Sequence, residues 1–217
     1  SSGCVETGCS GYEAYPLTGY FNLPKILEIT LNNGVDPRSG KMVGIETGDP
    51  RDFETFEELF DAYKKQVKYF EDVKGNGSNI NTQLTAKYNP VPYMSILTED
   101  CIARGEDYNA GGARYNTTYL QGVGIGSITD ALSSLKYNVY DEKRFTMDEL
   151  LEAIDHNYEG EKYQLIRNLV SRKTPKFGND DDYADDIMRD VFQYFHDTIT
   201  GRPNMRRGEW RIDMLPT

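Results

Sequence analysis

The segment TFEELFDAYKKQVKYFEDV, residues 55–73, constrains the fold most. Thr55 and Glu58 have the spacing of a capping box, in which each side chain satisfies a backbone N–H of the other residue. Phe56, Leu59, Phe60, Tyr63, Val67 and Phe70 then recur every three or four residues, so they share one face of an amphipathic helix. At 217 residues the chain has the length of one large domain or two small ones and can bury a sizeable core. Hydrophobic residues make up 38% and aromatics 12%, which points to a globular protein and away from disorder.

Other segments follow the same rules. In GYFNLPKILEITLNNG, apolar residues Ile26, Leu27, Ile29 and Leu31 precede Asn-Asn-Gly, a helix stop, with Tyr20 at the helix start. GVDPRSGKMVGIETGDP is a turn-rich connector. NPVPYMSILTEDCIARG restarts after two prolines as one shorter helix, and Tyr115 to Leu120 reads as a strand. GSITDALSSLKYNVY and TMDELLEAIDHNY read as helices, the latter with a second capping box at Thr146 and Glu149. YQLIRNLVSR and DYADDIMRDVFQYFHDTI are two more, separated by the acidic loop GNDDD. WRIDMLPT reads as a strand and a stop. There is no repeat and no linker long enough to divide domains. The expected fold is helix-rich α/β with few, separated strands, and the missing initial Met suggests a piece of something larger.

The net charge of −11 argues against nucleic acid or an anionic membrane as partner, since both recruit cationic faces. No apolar run approaches the roughly 20 residues that span a bilayer, and no signal peptide is evident. Three cysteines make no disulfide framework, so a reducing cytoplasm is expected. Asp180–Asp182 lacks the alternating ligands of a calcium loop and reads as a solvated helix start. His156 and His196 have no ligand partner at metal spacing, so no metal is expected on this chain. Cys101 reads as a small core residue, and GVGIGS as a tight strand-to-helix turn, since it matches no phosphate-loop spacing.

The stretch SSGCVETG fits none of these structural roles. On an extended or looped backbone Cys4 and Glu6, two residues apart, point the same way. A neighbouring carboxylate raises a thiol pKa, so the pair does not suit a thiolate nucleophile. It suits a neutral thiol that donates and accepts hydrogen atoms, with Glu6 moving a proton; an ordinary loop is the other reading of the spacing.

SSGCVETG resembles the catalytic cysteine loop of the glycyl radical enzymes, the family of pyruvate formate-lyase and the diol dehydratases. The likeness continues through LTGYFNLPKILEITLNNG, TGDPRDFETFEELFDAYKKQ, SILTEDCIARGEDYNAGGARYN and GVGIGSITDALSSLKY, and covers most of the chain. Pyruvate formate-lyase uses two adjacent cysteines, whereas Cys-Val-Glu is the pattern of the eliminating and decarboxylating branches. Thr7 stands where diol dehydratases typically carry Pro.

The resemblance implies a helix-rich portion of a ten-stranded β/α barrel, residues 1–217, with the cysteine loop at its N-terminal end. The N-terminal barrel half and the C-terminal glycyl radical domain would lie outside this chain, since the family's Arg-Val-x-Gly-aromatic stretch is absent from it. The cofactor implied is a protein glycyl radical, installed by a radical S-adenosylmethionine activating enzyme, and the assembly implied is a homodimer. Cys4 and Glu6 would be catalytic, and Tyr20 and Thr217 would contact the substrate. The expected reaction is dehydration of trans-4-hydroxy-L-proline to 1-pyrroline-5-carboxylate, and this piece alone is expected to be inactive. An arylacetate decarboxylase, a diol dehydratase and a non-catalytic homologue that keeps the fold are the alternatives.

Overall fold

The computed structural model describes residues 8–14 and 16–215. In chain order the elements are β1 (Glu13–Ala14), β2 (Leu17–Asn22), α1 (Leu23–Leu31), β3 (Val35–Asp36), β4 (Lys41–Met42), α2 (Phe56–Tyr88), α3 (Pro92–Ile96) and α4 (Cys101–Arg104). They continue as β5 (Tyr115–Asn116), β6 (Thr118–Val123), α5 (Ile125–Leu135), α6 (Met147–Asp155), α7 (Glu161–Arg172), α8 (Asp182–Ile199) and β7 (Trp210–Leu215). The chain divides into two compact units whose segments interleave, so no linker separates them. One holds the described residues up to Phe21, Phe70–Val123 and Phe195–Leu215; the other holds Asn22–Tyr69 and Gly124–Tyr194.

In the first unit, strands run in the order β2-β6-β7, and β1 pairs separately with β5. β6 and β7 are parallel, in register from Thr118 opposite Trp210 to Val123 opposite Leu215. Thr118 through Gly122 are all buried, as a parallel strand covered on both faces requires. Packing at Gly122 is close: a Cβ there would sit 2.7 Å from Met214 Sδ and 3.2 Å from the Phe195 ring. Phe195 is fully buried and meets Phe21 at 5.3 Å between ring centroids. In the same unit Glu71, also fully buried, accepts the Thr198 hydroxyl at 2.8 Å and lies 3.6 Å from the Arg202 guanidinium.

In the second unit, the apolar stripe of the first half of α2 is buried through Leu59, Tyr63 and Val67. Fully buried Gln66 accepts the Ile45 amide at 3.1 Å, which holds the preceding connector against the helix. α1 packs on α5; Ile26 and Leu27 of α1 are buried, as are Ile128 and Leu132 of α5. Both capping boxes form: Glu58 N–H donates to Thr55 Oγ1 at 3.3 Å and Thr55 N–H to Glu58 Oε2 at 3.2 Å. At α6 the same exchange links Thr146 and Glu149.

Four expectations need correction. LTGYFN is a strand, not the start of a helix. Tyr20 points out and Phe21 in, the alternation of a half-buried strand, and α1 begins only at Leu23 behind the Asn22 cap. α2 does not stop near Val73 but runs through Gly75 and Gly77 to Tyr88. The apparent single helix at residues 92–104 is two short turns, broken where Asp100 takes φ +73°. Its carboxylate there meets the Arg114 guanidinium through two hydrogen bonds, at 3.0 and 3.1 Å, which compensates the strained backbone. Finally, residues 136–141 continue α5 as a π-helix, in which Asn138 turns inward to donate to Ser134 O and Thr174 Oγ1.

Candidate functional site

Cys4, Glu6 and Thr217 lie outside the described residues, and so does the approach of Cys9 to Cys4. The scaffold on either side of them is described. Thr217 follows β7 by two residues, and β7 ends beside the end of β6 at the Val123–Leu215 pair. In parallel α/β sheets the carboxyl ends of strands carry the functional loops. At that edge Gly124 takes φ +84° and starts α5, so GVGIGS is the tight strand-to-helix turn its spacing suggested. Tyr20, on β2 of the same sheet, is 68% exposed and so is not a core aromatic among the described residues.

The C-terminal leg of the cysteine loop is a turn stapled to the sheet. Cys9 O accepts from the amides of Tyr12 and Glu13, both at 3.0 Å, with Gly11 at φ +77°. The Cys9 amide donates to Glu13 Oε2 at 3.1 Å, and Thr117 Oγ1 donates to Glu13 Oε1. Tyr115 N–H donates to Tyr12 O at 3.1 Å, and Glu99 N–H to Gly11 O at 2.7 Å. The Tyr12 ring lies 5.2 Å from the Arg114 guanidinium. Nearby, burial pushes the Tyr119 phenol above its ordinary pKa, and the negative charges of Glu13 and Asp213 add to the shift. Arg211 on β7 is held protonated chiefly by its hydrogen bond to Glu209, with Glu13 contributing from a distance. Glu13 was not singled out from sequence; the signal available was an acid closing the glycine turn CSGYE.

The remaining titratable candidates are structural. Burial first, then the charge of Asp107, pushes the Cys101 thiol up, and its side chain packs with Ala14, Ala113 and Tyr108. His156 ends α6 and stacks on Tyr163 at 5.0 Å, while His196 Nδ1 lies 3.0 Å from Asp197. Asp181 caps the start of α8, its Oδ1 accepting the Tyr183 amide at 3.0 Å. Among the described residues no group of three or more His, Cys, Asp and Glu could hold a metal ion. No described helix is long and apolar enough to cross a membrane.

Sequence comparison assigns the class: the chain belongs to the pyruvate formate lyase-like family, which it matches over residues 1–217. It is 60% identical over all 217 residues to trans-4-hydroxy-L-proline dehydratase of Clostridioides difficile, and spans 27% of that protein. It is 36% identical over 209 residues to (2S)-3-sulfopropanediol dehydratase of Klebsiella oxytoca, covering 96% of this chain and 25% of that one. The crystal structure of the Clostridioides difficile hydroxyproline dehydratase with trans-4-hydroxy-L-proline bound superposes with a TM-score of 0.95. That match covers 99% of this chain and 27% of the other. The fold is therefore the expected helix-rich α/β portion of the glycyl radical enzyme barrel.

Proposed function

We propose that this chain supplies the thiol and proton donor of a glycyl radical dehydratase acting on trans-4-hydroxy-L-proline. The observation that carries the reading is 60% identity to the hydroxyproline dehydratase across the whole chain, with Cys4-Val5-Glu6 at its start. A glycyl radical elsewhere in the longer protein, installed by a radical S-adenosylmethionine enzyme, would supply the oxidant that removes the hydrogen atom of the Cys4 thiol. Cys4 sulfur then takes a hydrogen atom from the ring carbon beside the substrate nitrogen. Glu6 protonates the hydroxyl on the adjacent carbon, the C–O bond breaks, and water leaves. The ring nitrogen gives up a proton as the C=N bond forms. Cys4 returns its hydrogen atom to the product radical, giving 1-pyrroline-5-carboxylate, and the thiyl so formed would take a hydrogen atom from the glycine, where the radical is stored again.

Glu6 has to be protonated when the hydroxyl departs, which a water-poor cavity favours by raising its pKa. Tyr20, exposed on β2, and Thr217, two residues beyond the last residue of β7 in sequence, would contact the substrate. A homodimer in an anaerobic cytoplasm belongs to the same reading. Anaerobic incubation of the activated full-length protein with hydroxyproline, glycerol, propanediol and 4-hydroxyphenylacetate tests it. Pyrroline carboxylate from hydroxyproline alone is the expected result. Carbon dioxide from the arylacetate, with hydroxyproline untouched, would transfer the chain to the decarboxylase branch.

A further inference from the structure

We propose that a polar cavity in the first unit is a binding site for an oxyanion group, a carboxylate or a phosphate, received by Arg206 and Lys74. The cavity, of about 530 Å3, is lined by Lys74, Ser78, Asn81 and Thr85 of α2 and by Arg206 of the turn before β7. The four α2 positions are spaced by four, three and four residues, so they share one face of the helix. Among the described residues no Asp or Glu lines the cavity. The polar face belongs to the stretch of α2 beyond Val73, where no apolar stripe continues.

Arg206 is 2% exposed, and its guanidinium meets only neutral groups among the described residues. Its Nη2 donates to Thr117 O at 2.8 Å and lies 3.3 Å from Thr118 Oγ1, while the buried Nε has no partner. Burial lowers its pKa to about 10, so the group still carries its charge at neutral pH. A buried charge is costly unless it is paired, and a planar guanidinium matches the oxygens of a carboxylate or phosphate. Lys74 donates to Thr18 O, and as an ammonium it has further N–H groups to offer. The Ser78 and Thr85 hydroxyls donate to no other described residue, so they add neutral donors to the two cations. A metal ion or an apolar ligand would leave Arg206 unpaired; an oxyanion satisfies every one of these groups. The chain spans 27% of its hydroxyproline dehydratase relative. This chemistry therefore has two sources, a free anion or an acidic side chain from elsewhere in the longer protein.

The test uses the full-length protein and needs no turnover. Arg206 also holds the start of β6, so its own replacement would mix binding with folding; Lys74→Met takes its place, with Lys87→Met on the same helix but outside the cavity as control. Inorganic phosphate is titrated calorimetrically into each protein in chloride buffer, and the parent is crystallised without added oxyanions. If the anion is free, phosphate binds the parent, Lys74→Met weakens it about tenfold, the value of one charge-assisted hydrogen bond, and Lys87→Met leaves it unchanged. If the longer protein supplies the anion, phosphate does not bind, and the crystal structure shows a carboxylate oxygen within about 3.2 Å of an Arg206 guanidinium nitrogen. Phosphate binding that Lys74→Met leaves unchanged, or that both lysine variants weaken equally, overturns the proposal. So does a parent that binds no phosphate and shows only water or neutral groups against Arg206.

Discussion

Asn204 anchors the turn before β7, and its removal has a cost that can be worked out bond by bond. Its Oδ1 accepts the amides of Arg206 and Gly208, both at 2.9 Å. Its Nδ2 donates to Asn116 O at 2.6 Å and Thr118 Oγ1 at 2.9 Å, with Glu209 O at 3.3 Å. One side chain, 8% exposed, therefore pins the turn before β7 to the last residue of β5 and the first of β6. Asn204→Ala strands two backbone N–H groups. A buried donor left without a partner costs about 1–3 kcal/mol, so the pair should cost about 3 kcal/mol or more. Water has little room to compensate: the turn lies so close to the sheet that a Cβ on Gly208 would fall 1.8 Å from Asn116 O. Trp210, the chain's single tryptophan and 3% exposed, begins β7 and reports on the site. Urea unfolding followed by its fluorescence should show a midpoint lowered by about 1 M, taking a denaturant slope of about 2–3 kcal/mol/M. A shift below about 0.3 M would mean that the five contacts are not the seat of β7.

Three further outcomes follow from other parts of the molecule. The hydrogen bonds from Lys25 and then Ser39 hold the Asp36 carboxyl well below its usual range, so its contribution is present above about pH 4 and is lost as the pH falls; Asp36→Asn should flatten the acid side of a melting-temperature profile, and an unchanged slope would refute the pairing. Iodoacetamide at about pH 8 should modify exposed Cys9 well before Cys101, which is 2% exposed with a raised thiol pKa; equal rates by peptide mapping would contradict the packing around Cys101. Glu6→Gln in the activated full-length protein should leave the radical yield unchanged but lower dehydration about a hundredfold or more, since an amide cannot deliver the proton; activity within about tenfold of the parent would remove Glu6 from that role.

The sequence carried the parts of the fold that are encoded locally. Capping boxes at Thr55 and Thr146, the α2 stripe and the Gly124 turn are short-range patterns, and each formed where its residues stood. What escaped depends on partners distant in sequence. LTGYFN pairs in a sheet with β6, about a hundred residues on, and its alternation is too short to outweigh the helix signal that follows. α2 continues past Gly75 and Gly77 even though glycine disfavours helix, so local propensity put its end too early. Leu84 and Tyr88 on that extension are 50% and 70% exposed, so no apolar stripe marked it in the sequence. The site divides in the same way. Cys4 and Glu6 stood out as a pair with chemistry and no structural explanation, whereas the hydrogen bond from Thr117 to Glu13 joins residues that only the folded chain brings together.

The account turns on Cys4 as a hydrogen-atom relay, and one measurement addresses it most directly. The activated full-length protein carrying Cys4→Ser is compared with its parent for pyrroline carboxylate formation and for the glycyl radical signal in electron paramagnetic resonance. The account predicts a radical signal of parental size and no product, because an O–H bond is too strong to pass the hydrogen atom on. Measurable product from the serine variant at normal radical yield would contradict it.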